Sequence, residues 1–97
     1  MSDSKTDPQT LVASQCIALS ESLLTHRRAS LSNSDATRAG EDLFSWFRGV
    51  GAITDANAGI AARSVDLGIA LLQKSTTATI GEVVTTVQNT YQHYASR

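Results

Sequence analysis

Cysteine occurs once in these 97 residues, at Cys16, which excludes an internal disulfide framework. Proline also occurs once, at Pro8. Proline punctuates loops and is excluded from helix interiors, so its absence from the rest of the chain favours long helices. Aromatic residues make up only 5% of the chain, against 41% hydrophobic overall, so a core must be built mainly from small aliphatic side chains. Eight basic and nine acidic residues leave a formal net charge of −1. That balance provides neither the basic footprint of a nucleic-acid binder nor a polyacidic tail. No stretch approaches the ~20 apolar residues of a membrane span. The segment Met1–Asp7 is polar and has no apolar h-region, so the general secretory route is not expected and export would use another.

What is present reads as one all-α domain over residues 8–97, preceded by a disordered N-terminus over residues 1–7. Asp7 and Pro8 have the form of an N-cap and a first helical position, where the missing proline N–H costs nothing. Val12, Cys16, Leu19 and Leu23 step by four, three and four, and Ala13, Ile17 and Leu24 widen the stripe, which predicts a helix over 8–31. The polar stretch from Ser30 to Thr37 reads as a loop, with Ser34 or Asp35 capping a second helix over 35–48. Glu41 and Asp42 are then expected near its positive end.

That second helix carries Leu43, Phe44, Trp46 and Phe47 on one broad apolar face, and Gly49 and Gly51 follow. The glycines either end the helix in a left-handed cap or allow close packing within a continuing one. A third helix is expected over 52–74. Ile53, Ile60 and Leu67 recur at sevens and, with Leu71, point to one side; Val65, Ile69 and Leu72 point to another. Only a narrow stripe through Asp55, Arg63, Asp66 and Lys74 is charged, so this helix needs cover on more than one side. Gly59, Gly68 and the alanines are expected to let neighbouring helices approach closely. Thr79 and Glu82 have capping-box spacing and open a fourth helix over 79–95, with Val83, Val84, Val87, Tyr91 and Tyr94 as its stripe.

Catalytic signals are nearly absent. Cys16 falls on an apolar stripe and reads as a small buried hydrophobe. His26 and His93 lack metal-ligand spacing, and no glycine run matches a phosphate-binding loop, so no catalytic residue, metal or cofactor is expected. Arg27-Arg28-Ala29-Ser30-Leu31 has the pattern that a basophilic kinase reads; the two arginines also suit the negative pole of the first helix. The tyrosines near the C-terminus read as core or rim of the last helix, with a docking role as the alternative.

Two stretches carry a resemblance. Met1-Ser-Asp-Ser-Lys-Thr-Asp-Pro-Gln-Thr-Leu11 looks like the opening of small antigens of the Trp-x-Gly (WXG) family, and Trp46-Phe47-Arg48-Gly49 lies near mid-chain, where that family carries its motif. The spacing here is Trp-x-x-Gly, one residue longer. The family's C-terminal signal pairs a Tyr with an acid four residues on; here Tyr91 is followed at that distance by Ala95. The resemblance implies a helical hairpin, export by type VII secretion without a cleavable signal peptide, and pairing with a related helical protein or with its own copy.

The expected product is therefore a helical hairpin or small helical bundle completed by oligomerisation, acting as a non-enzymatic interaction protein. Phe44, Trp46, Phe47 and Gly49 are its candidate bend anchor, with Trp46 substantially buried. Ile53, Ile60, Leu67 and Leu71 are its candidate apolar interaction face. The expected partner is protein, not nucleic acid, and membrane association is not expected. Alternatives from other classes are an amphipathic coat of a lipid or polymer granule and a small adaptor or chaperone of another secretion system.

Overall fold

The first helix starts where a carboxylate meets its free amides. Asp7 accepts hydrogen bonds from the Thr10 amide (3.0 Å) and the Thr10 hydroxyl (2.9 Å), and Pro8 opens α1 (Pro8–His26). The Thr10 bonds hold the Asp7 carboxyl below its ordinary value, the backbone bond contributing most. The computed structural model describes residues 7–26 and 31–96 and contains three further helices: α2 (Asn33–Gly49), α3 (Ala58–Lys74) and α4 (Ile80–Ala95). No strand occurs among the described residues, and the protein is a small all-α bundle.

On α1 the buried residues are Val12, Cys16, Leu19 and Leu23, the four of the expected stripe. Ile17, expected to widen that stripe, is instead 60% exposed, because it projects over an open groove between α1 and α2. Leu31, the expected end of this helix, is half-buried and non-helical; Arg27, Arg28 and Ser30 of the kinase-like pattern lie outside the described residues, as does the segment 1–6.

The three later helix starts also depend on local side-chain chemistry, and two of them correct the expected boundaries. The cap of α2 is Ser32 rather than Ser34 or Asp35: Ser32 is extended, and its hydroxyl accepts from the Asp35 amide at 3.1 Å. The helix therefore begins at Asn33, and Glu41 and Asp42 lie well inside it, beyond the first turn where the helix dipole acts. The third helix begins at Ala58, not at residue 52. Gly51 takes a left-handed φ of 79°, and the Ala52 amide returns to the Phe47 carbonyl at 2.9 Å. The Thr54 hydroxyl then accepts from the Asn57 amide, while the Asn57 side chain donates to the Gly51 carbonyl. These side-chain bonds hold residues 52–57 in a turn that competes with helix. At α4, as at the Asp7–Pro8 start of α1, the expected device is found unchanged: Thr79 and Glu82 form a reciprocal capping box with bonds of 2.9 and 3.0 Å.

Packing centres on α1 and α3, the most extensive helix pair, with α2 lying against α1 and α4 against α3. Gln15 on α1 ties this central pair by donating to the Ala62 carbonyl (3.3 Å) and to the Asp66 carboxylate of α3. The outer helices meet only slightly, chiefly through three rings. Between neighbours the spacing is set by glycine. A Cβ on Gly40 would lie 2.7 Å from the Cys16 carbonyl oxygen and collide with the Ser20 hydroxyl; one on Gly68 would collide with Val87. Gly59, expected to serve the same purpose, faces open space.

Candidate functional site

The aromatic residues of α2 divide by side. Phe47 is fully buried, whereas Trp46 and Phe44 are half-buried on its flanks. Trp46, Phe47 and Tyr91 form a triangle of edge-on contacts with ring centroids 5.4 to 5.9 Å apart. Such pairs contribute about 0.5–1.5 kcal/mol beyond the area they bury. Burial of Tyr91 raises the pKa of its phenol. Trp46 thus clasps α2 to α4 in the last turn before the bend, and the ring at the centre of the clasp is Phe47. Gly49, the last residue of α2, is exposed with open space around it, so it ends the helix without serving a close contact.

The candidate face on α3 divides in the same way. Val65 and Leu72 point into the core, and Ile69 packs at its edge. On the other side Leu67 is 45% exposed and Ile60 half-buried. Ile53 lies in the turn before α3, so the spacing of seven from Ile53 to Ile60 does not run along one helix. Ile53 and Leu71 are half-buried and pack on the main core rather than standing out with Leu67.

Two open grooves result. One lies between α3 and α4, lined by Ile60, Leu67 and Tyr94 with Arg63 and Ser64 beside them. Tyr94 is 53% exposed and stacks edge-on with His93. The other lies between α1 and α2, has a volume of about 490 Å³, and is walled by Ala13, Ile17, Leu24 and Phe44 between Glu21 and Glu41. The sequence pattern carries no sign of this second groove, since Ile17 falls within the apolar stripe of α1.

Cys16 borders the α1–α2 groove but is 3% exposed, and burial pushes its thiol up to about 12. It therefore stays protonated at neutral pH, whereas a nucleophilic cysteine needs a lowered pKa. His26 is exposed and its Nδ1 lies 3.0 Å from the Ser22 carbonyl. Among the described residues no group of His, Cys, Asp or Glu converges as a metal site, and no helix is long and apolar enough to cross a membrane. The buried Ser64 hydroxyl is spent on its own helix, donating to the Ile60 carbonyl at 2.8 Å.

These features define a small four-helix domain with two open apolar grooves. Comparison with known proteins finds no matching family model, curated protein or solved structure.

Proposed function

We propose that the chain is a non-enzymatic helical interaction protein that docks a protein partner along the α3–α4 edge. One observation carries this reading: Leu67 and Tyr94 stand half in solvent beside Ile60, although the interior behind them is sealed. Burying a Leu side chain is worth about 1.5–3 kcal/mol, so leaving such a row bare forgoes stability that a partner would restore. Exposed apolar surface gathered in one groove marks interaction sites in this way. The inward direction of Val65 and Leu72 favours docking over coating a lipid or polymer granule, since the apolar sides of α3 are not all free. An adaptor of another secretion system would use the same edge.

The export half of the proposal, a Trp-x-Gly-like substrate or subunit of type VII secretion, is supported by the resemblance of residues 1–11 and 46–49 alone. The docking half is tested by sedimentation equilibrium at low micromolar concentration. The wild-type chain is expected above its monomer mass, and Leu67→Asp is expected to return it to a monomer that still melts cooperatively, at a lower temperature that no longer depends on concentration. A cooperatively melting wild-type monomer that also fails to bind its co-expressed genomic neighbour would overturn the reading.

A further inference from the structure

The two grooves share no residue and carry opposite charge. Among the described residues, the α1–α2 groove is bordered by Glu21 and Glu41 and by no basic one, and the α3–α4 groove by Arg63 and by no acidic one. All three side chains are exposed, and none has an ion-pair partner among the described residues. Each groove also holds bare apolar surface: Ile17 and half-buried Phe44 in the first, Leu67 and Tyr94 in the second.

We infer that a second copy of this chain seats crosswise, with the Ile60–Leu67–Tyr94 edge of one copy against the α1–α2 groove of the other and Arg63 meeting the carboxylates of Glu21 and Glu41. This rests on the proposal that the α3–α4 edge docks protein, and it names the partner. Pairing of like grooves is disfavoured on two counts. Two α3–α4 edges facing each other bring Arg63 against Arg63, and two α1–α2 grooves bring four carboxylates together; like charges meeting at an interface are strongly unfavourable. Like pairing also covers only one kind of groove, so either Ile17 or Leu67 stays in water. The crosswise seat covers both kinds of apolar surface and gives the guanidinium the planar carboxylate partner it matches best. Residue-to-residue reciprocity of this kind closes as a two-fold dimer when both grooves engage at once, and otherwise continues from copy to copy.

Charge reversal separates these arrangements. Arg63→Glu, the double variant Glu21→Lys/Glu41→Lys, and the triple variant combining all three changes are measured by sedimentation over a range of concentrations. Thermal melts check that each is folded, as expected for exposed positions. Arg63→Glu and the double variant should each self-associate about tenfold or more weaker than wild type, as expected when facing charges become alike. The triple variant, in which the facing charges are again opposite, should return to near wild-type affinity. Unchanged self-association of both weakened variants overturns the crosswise seat and leaves the docking proposal standing. So does a triple variant no better than its parents. A wild-type chain that stays monomeric but binds a different protein through Leu67 also overturns the seat alone; a monomer that binds nothing overturns both.

Discussion

Where α1 meets α2, Gly40 faces the Cys16 carbonyl and the Ser20 hydroxyl; where α3 meets α4, Gly68 faces the Val87 and Val83 side chains. Both seams need a residue without a Cβ in mid-helix, a position that otherwise costs about 1 kcal/mol relative to alanine. The obstacle differs in kind. At Gly40 part of it is main chain fixed in the helical ladder, so relief requires the two helices to separate. At Gly68 the nearest atom is a methyl of Val87, a fully buried β-branched side chain held to one rotamer in its helix, so room can be made only by repacking the seam between α3 and α4. One seam is therefore set by backbone and the other by side-chain packing.

The contrast can be broken at its hinge, where the two seams join. Phe47→Ala removes the fully buried ring between α2 and α4 and is expected to cost about 3–5 kcal/mol, comparable with the whole stability of a small domain. Trp46→Ala should cost clearly less, since that ring is half-buried. Chemical denaturation of both variants checks the order, and an equal loss would put the clasp at Trp46.

The seams themselves are compared by Gly40→Ala and Gly68→Ala. Overpacking costs about 1–3 kcal/mol. After the gain in helix propensity both variants should remain destabilising, Gly40→Ala the more so because main chain cannot turn aside as a side chain can. If Gly68→Ala proved the more damaging in urea melts, the distinction between main-chain and side-chain obstacles would be wrong. Smaller still, Thr79→Ala removes one arm of the capping box and should lower stability by about 1 kcal/mol, with the loss confined to fraying of α4 in hydrogen exchange. The smallest effect has the opposite sign. Gly59→Ala adds a methyl group in open space near the start of α3 and should stabilise by a few tenths of a kcal/mol, up to about 1.

These contrasts also show what the chain makes legible in advance. The buried stripe of α1 and the capping box of α4 are readable because spacing and residue type alone determine them. The start of α3 is not, because Ala52, Ile53 and Ala56 continue an apolar pattern through a turn that Gly51, Thr54 and Asn57 hold by side-chain bonds. Both sides of α3 are visibly apolar, yet no local signal says that Val65 and Leu72 face in while Leu67 faces out. That choice belongs to the partner helices. Gly40 lies among polar neighbours and gives no hint of the carbonyl it faces, because that contact joins residues far apart in the chain. The α1–α2 groove was hidden for the same reason, as an apolar stripe does not say how far round its neighbour reaches.

The order of packing along the chain bears on its birth. The first helix leaves the ribosome early, yet its principal partner is the third. A domain generally folds as a unit, so it cannot complete its packing until all of its elements have been made. The side of α1 that packs against α3 therefore stays bare until residues 58–74 have been made. During that interval the nascent half-protein presents apolar surface that the finished bundle hides, and the vulnerable window closes only when Lys74 has emerged and α3 has settled into place.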